Sequence, residues 1–219
     1  MSLRVVNESC ANWKTFSKLR GRRPFGTHRV RNDVPMPRVE LFEAITAPIA
    51  TQPYWAGGDP GPIVAALASV PELLAPVLGF VGPALGPGAI GIRAKEIAIL
   101  RTSALQGCSY CIKAHTVVAL DVGLTHLEAR ALRGELPLAD GFSLASDRAL
   151  ISWIDGLAGA TGNIPDDVWT AARAHWAEHE LIEACVTVGA TIFLNRLATG
   201  LELPTAPGVL ERLRAEGLE

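Results

Sequence analysis

The stretch Arg93-Ala94-Lys95-Glu96-Ile97-Ala98-Ile99-Leu100-Arg101-Thr102-Ser103-Ala104-Leu105-Gln106-Gly107 decides the fold. Its apolar residues recur at helical spacing, Gly107 interrupts the pattern, and a second helical pattern runs over about 108–122. So short a break turns the chain back on itself, so the helix over 93–106 is expected to pack antiparallel to its successor.

Outward from this hairpin the punctuation is helical again. Gly123-Leu124-Thr125 reads as a helix stop followed by a new N-cap, and Glu128, three residues after Thr125, completes a capping box. Val70-Pro71-Glu72 opens one helix, Ser146-Asp147 caps another ahead of Leu150, Ile151 and Ile154, and Ile164-Pro165-Asp166-Asp167 begins a third. A long helix over about 180–198 keeps an apolar stripe through Leu181, Ile182, Val186, Val188, Ile192 and Phe193. Alternating patterns are almost wholly missing beyond Met36, so the fold class is all-α: a bundle of about eight helices with short connections, one domain over 36–219.

Composition narrows the function classes. The 219 residues are 49% apolar and 19% charged with a net charge of −2, enough apolar sequence for a real core and no cationic excess to hold nucleic acid or an acidic membrane. That total hides an asymmetry, because 1–35 carries +6 and the remainder −8. The basic segment lacks a signal-peptide h-region and is expected to be a disordered arm or the product of a start upstream of Met36, with organelle targeting or docking as the competing reading. The most apolar stretch, 62–92, has one formal charge, Glu72, but Pro71, Pro76, Pro83 and Pro87 divide it into pieces too short to span a bilayer. It is expected to form buried helices, and its apolar surplus points to a homo-oligomer.

Four cysteines without a secretory signal fit a reducing, cytoplasmic setting, where a close pair is catalytic or metal-binding more often than structural. Cys108 and Cys111 form that pair. Cys10 falls in the basic arm, and Cys185 sits in an apolar run where a thiol acts as a small hydrophobe. On a helical wheel Cys108, Cys111 and His115 share one face, at about 0°, 300° and 340°. Two thiols one turn apart can close a disulfide, and an imidazole one turn further can move the proton that a thiolate loses. A three-ligand metal site and unreactive core thiols use the same residues, although no second Cys-x-x-Cys completes a structural zinc site.

The run from Lys95 to His115, with Glu96, then Leu100-Arg101-Thr102-Ser103, then Gly107-Cys108-Ser109-Tyr110-Cys111 and His115 four residues later, resembles the signature of the AhpD-like, or carboxymuconolactone decarboxylase, family. Gly123-Leu124-Thr125 continues it, and Phe193-Leu194-Asn195-Arg196 is similar to the family's late helix ending in an Asn-Arg pair. The resemblance is densest over 93–132, looser to 203, and excludes 1–35. It implies an all-α fold that self-associates and, where both cysteines are kept, a thiol peroxidase or disulfide reductase activity on hydroperoxides. Electrons would come from an external dihydrolipoyl-type or similar dithiol, free or carried by a protein, with no metal, haem or tightly bound cofactor. Carried over residue by residue, Cys111 would attack the peroxide, Cys108 would resolve, and His115 with Glu96 would relay protons.

Local physics divides on the thiols. Cys108 lies nearer the positive end of its helix, which favours it as the more acidic thiol, whereas His115 is one turn from Cys111 and could bond to it directly. Glu96 reaches the site only if the hairpin packs antiparallel; otherwise it is a surface carboxylate pairing with Lys95 or Arg101. Tyr110 orients a substrate or packs. The competing functions are a lactone decarboxylase-like lyase, which has no use for a dithiol, and a non-catalytic oligomeric redox sensor. His175-Trp176-Ala177-Glu178-His179 spells an inverted zinc-protease motif, but no third ligand follows at suitable distance, so packing and solvent exposure are expected.

Overall fold

The computed structural model describes residues 36–219; the basic segment 1–35 and the expectations placed on it lie outside the described residues. After a 3-10 turn at Gln52–Trp55, ten α-helices follow: α1 (Pro62–Leu67), α2 (Pro71–Leu85), α3 (Gly91–Leu105), α4 (Ser109–Asp121), α5 (His126–Leu132), α6 (Leu138–Gly141), α7 (Ala145–Ala158), α8 (Asp166–Arg173), α9 (Glu178–Gly200) and α10 (Pro207–Ala215). The described residues contain no strand, so the all-α reading holds; the helix count exceeds eight because α1, α5 and α6 are single short pieces.

Helix α3 sits at the centre, packed against α4, α7 and α9. Its buried Ile97 and Leu100 meet Leu132, Phe142, Leu150, Ile154 and Leu181 in one continuous core. Each such side chain contributes about 1.5–3 kcal/mol when fully buried.

The hairpin that places the site is built from hydrogen bonds local in sequence. Gly107 ends α3 at φ +66°, the Gly107 N–H donates to Ala104 O at 3.1 Å, and the Cys108 N–H donates to Ser103 O at 3.0 Å. This double bond pattern needs a left-handed residue, which glycine supplies without a Cβ clash. Cys108 therefore closes α3 and is also the N-cap of α4, with extended backbone (φ −84°, ψ 93°). The same arrangement recurs at Gly123, where the Leu124 N–H donates to Ala119 O at 2.9 Å. Thr125 then caps α5, and its capping box with Glu128 is present as expected.

Two local expectations change. Ser146 and Asp147 lie inside the first turn of α7, whose N-cap is Leu144, and Asp147 Oδ2 instead accepts a bond from Arg93 Nη1 at 2.9 Å. Arg93 also pairs with Glu128, tying α3 to α5 and α7. Pro165 is the N-cap of α8 rather than its first helical residue.

The larger correction concerns 62–92. Pro76 and Pro83 lie within α2 without breaking it, and of that helix only Leu74 and Ala84 are buried; Leu73 and Phe80 are each 51% exposed. The helix survives its prolines because Glu72 and Gly79, whose carbonyls lose their partners, are at exposed positions where water can serve. Among the described residues the helix that is long and apolar enough to cross a membrane by length and composition is α9, with a mean hydropathy of 1.5 over its most apolar span. Half of that span is buried within the fold, where Leu181, Ala184, Val188, Leu194 and Ala198 pack.

Candidate active site

The antiparallel packing of α3 on α4 brings Glu96 across to His115. Glu96 is 3% exposed, and its Oε2 lies 2.9 Å from His115 Nδ1. Its sequence neighbours are engaged elsewhere: Lys95 with Glu183 at 2.6 Å, and Arg101 with Asp155 at 2.6 Å. The surface-carboxylate reading of Glu96 is thus replaced by a buried carboxylate–imidazole pair. An ionised carboxylate only accepts, so the bond fixes the hydrogen on Nδ1 and leaves Nε2 as the basic nitrogen.

Cys108 and Cys111 are both free thiols, buried at 0% and 4% exposure among Ala66, Ala198 and Leu203. The shared-wheel expectation applies to Cys111 and His115 only, since Cys108 stands outside the helix as its cap. From there Cys108 Sγ accepts the Cys111 N–H at 3.4 Å. A hydrogen bond from the Cys111 thiol draws Cys108 down to about 6; burial opposes this, and the Cys111 N–H, Thr199 and Asn195 assist. The same thiol–thiol bond, reinforced by burial, pushes Cys111 up, with Asn195 pulling the other way. Cys108 is thus the readier thiolate, chiefly through the Cys111 thiol, with the N–H at the helix end a lesser contribution.

Access runs the other way. A cavity of about 90 Å³ is lined by Cys111 and His115 together with Ser103, Tyr110, Thr191 and Asn195, and Cys108 is not on its wall. Among the described residues His115 makes no hydrogen bond to either sulfur, so the direct Cys111–His115 bond is replaced by two groups facing one small space. Tyr110 also borders a larger groove of about 470 Å³ on the other side, with Gly107, Ser109, Lys113, Thr199 and Glu202. Burial and the nearby Cys111, Cys108 and Asp59 push the Tyr110 hydroxyl up to about 12, so it enters any chemistry as a neutral phenol.

Helix α9 contributes the third wall, which the sequence reading of the hairpin did not supply. Asn195 Nδ2 donates to Ser103 Oγ at 3.1 Å across 92 residues of sequence. The only sequence signal for it is the Asn-Arg pair at the end of the long helix. Cys185 packs partly buried against the main core, as its apolar run indicates. The His175–His179 motif straddles the break between α8 and α9 with His175, Glu178 and His179 exposed, so its residues do not share a helix face.

Comparison with known proteins follows the same lines. Residues 71–150 match the model of the carboxymuconolactone decarboxylase family. No curated protein matches the chain in sequence. Among solved structures, a protein of unknown function from Agrobacterium tumefaciens, put forward as an AhpD-type antioxidant defence protein, is 25% identical at a TM-score of 0.57, covering 64% of this chain and 94% of its own. An alkylhydroperoxidase AhpD core protein from Ralstonia eutropha JMP134 superposes at a TM-score of 0.69 with 17% identity, over 80% of this chain and 95% of its own. The debrominase Bmp8 in complex with 2,3,4-tribromopyrrole superposes at 0.66 with 14% identity, over 85% of this chain and all of its own. The latter two share the fold alone. The hairpin, the Cys-x-x-Cys cap and the Glu96–His115 pair all lie within residues 71–150, the part of the chain that matches the carboxymuconolactone decarboxylase family.

Proposed function

We propose that this protein is a thiol-dependent peroxidase that reduces hydroperoxides through Cys111 and Cys108 and is recharged by an external dithiol, with no tightly bound cofactor. The observation that carries the reading is one small cavity walled by a buried thiol and an imidazole whose far nitrogen is fixed by a buried carboxylate. A dithiol beside an oriented base is the arrangement that two-electron oxygen transfer to sulfur requires.

In the first step the Cys111 thiolate attacks the terminal oxygen of the hydroperoxide. An S–O bond forms, the O–O bond breaks, and the leaving alkoxide takes a proton from the His115 imidazolium, which had gained it from Cys111. In the second, the Cys108 thiolate attacks the Cys111 sulfenic acid; an S–S bond forms and the oxygen departs as water after protonation. The external dithiol then returns two electrons and two protons and becomes a disulfide itself. The acidity of Cys108 suits the second attack, whereas Cys111 faces the cavity, so acidity and access are divided between the two sulfurs.

The test is peroxide turnover with a panel of dithiol donors, lipoyl-type compounds included. Peroxide should close a Cys108–Cys111 disulfide, and mass spectrometry finding both thiols free would refute it. Cys111→Ser should abolish consumption, whereas Cys108→Ser should allow one attack and then stall through over-oxidation. The opposite pattern would make Cys108 the attacking thiol. Loss of bromide from 2,3,4-tribromopyrrole without peroxide consumption would move the reading to dehalogenation.

A further inference from the structure

Asn195 is a buried polar residue that neither the core nor the Glu96–His115 pair uses. It is 1% exposed and lines the same cavity as Cys111 and His115. Its Nδ2 donates to Ser103 Oγ at 3.1 Å, and among the described residues its Oδ1 has no hydrogen-bond partner. A buried amide oxygen without a donor is costly, and a folded chain keeps one where another molecule supplies the missing bond. The side chain shares the cavity wall with Cys111, and its proximity draws both thiols downward, secondary to the bond between the thiols themselves. Only Nδ2 can donate, and it carries two hydrogens, enough for Ser103 and a sulfur together.

We propose that Asn195 is a further catalytic residue, whose Nδ2 group holds the thiolate from which the reaction starts and whose Oδ1 receives the O–H of a hydroperoxide entering the cavity. This rests on the peroxidase reading. A hydroperoxide has one hydrogen-bond donor, on the terminal oxygen that a thiolate attacks. Accepting that O–H anchors the reacting oxygen beside Cys111. When the S–O bond forms and the O–O bond breaks, the hydrogen stays on the transferred oxygen, so the new sulfenic acid is still bonded to Asn195 while the alkoxide leaves toward His115. The residue therefore favours substrates with a terminal O–H over sulfur reagents without one.

The test compares the reduced full-length parent with Asn195→Ala and Asn195→Asp. For each, the rate of oxidation by cumene hydroperoxide is divided by the rate of alkylation by iodoacetamide at the same pH, which cancels the thiolate fraction. Asn195→Ala should lower this ratio by roughly ten- to a hundredfold, the worth of a hydrogen bond to a reacting group. Asn195→Asp retains an acceptor of the same shape and should keep most of the ratio. Both should move the alkylation midpoint upward, by on the order of one pH unit in Asn195→Ala and further in Asn195→Asp, where a negative charge replaces the donor. Thermal melting checks folding, and the near-isosteric Asp variant carries the comparison should the Ala variant unfold. A ratio within about twofold of the parent in Asn195→Ala, or one equally low in both variants, overturns the Oδ1 role. An unmoved alkylation midpoint overturns the Nδ2 role. A parent that consumes no hydroperoxide overturns the peroxidase reading and the Oδ1 role with it, while the alkylation midpoints still decide the Nδ2 role.

Discussion

Lys95 and Glu96 are successive residues of α3, both buried, and they meet basic or acidic partners on different helices. Lys95 is fully enclosed, and its three donors find the Pro83 carbonyl at 3.3 Å, the Ala84 carbonyl at 3.0 Å and Glu183 at 2.6 Å. Glu183 in turn accepts the Ile90 N–H at 3.2 Å, and Gly88 must lack a side chain because a Cβ there would come within 1.6 Å of the Glu183 carboxylate. Thr187 Oγ1 adds a second donor to Ala84 O at 2.9 Å. This network holds the last carbonyls of α2 and the N–H of Ile90, the N-cap of α3, against α9, with every donor of Lys95 used. Glu96 and His115 are joined by one bond, and among the described residues the imidazole Nε2 has no partner on a wall that the cavity shares with Cys111. A saturated buried charge network has nothing left to offer a substrate, whereas an unsaturated one beside a cavity does. The difference between structural and chemical charge lies in the leftover valences, and the degree of burial does not reveal it.

Breaking the saturated side should have the largest effect. Lys95→Met leaves Glu183 and the α2 carbonyls without their cation and should lower unfolding stability by about 3–5 kcal/mol, measured by urea unfolding of the reduced protein. Adding Glu183→Leu should recover much of that loss, because the stranded charge is removed with its partner. A single-variant loss below about 1 kcal/mol would put the two pairs in the same class.

The unsaturated side should respond in reactivity instead. His115→Gln should raise the apparent thiol pKa of Cys111 and slow its alkylation by roughly tenfold near neutral pH, the loss of thiolate that a rise of about one pKa unit brings. Glu96→Gln should slow it less and mainly shift its pH dependence, with stability changed by no more than about 1 kcal/mol in either variant. Iodoacetamide alkylation against pH gives the comparison, and three superimposable curves would remove both residues from the site.

The pH dependence of stability reads the cysteines directly. An unfolded thiol titrates near about 8.5, and folded Cys108 is drawn down to about 6 by the Cys111 thiol, so between these values the unfolded chain binds more protons and stability rises with pH. Above about 8.5 the sign reverses, because folded Cys111, pushed up, keeps a proton that the unfolded chain loses. Urea unfolding under reducing conditions should therefore show a maximum near that pH, and Cys108→Ser should flatten the rising limb.

Much of the hairpin was legible in the residues. Gly107, Gly123 and the Thr125–Glu128 box act through hydrogen bonds that span five residues or fewer, and such bonds depend on backbone angles that the local sequence selects. The Cys-x-x-Cys-x-x-x-His spacing belongs to the same class, although the N-cap conformation of Cys108 took it off the helix wheel, and the bond from the Cys111 thiol made it the more acidic of the two. The apolar content of 62–92 was equally visible, but not that α2 would lie at the surface with its prolines toward water.

What the sequence by itself determined was an all-helical chain, the turn that sets α3 against α4, and the thiols and imidazole that follow that turn. The tertiary structure decided which charges became saturated, that Glu96 faces His115 while Lys95 faces Glu183, and that Asn195 comes to the cavity wall beside Cys111 from the far end of α9. The physical reason is the range of the forces. Caps and turns are satisfied within a few residues, whereas the partner of a buried charge or amide depends on how each helix rotates about its axis, and only the packing of the whole core fixes that rotation.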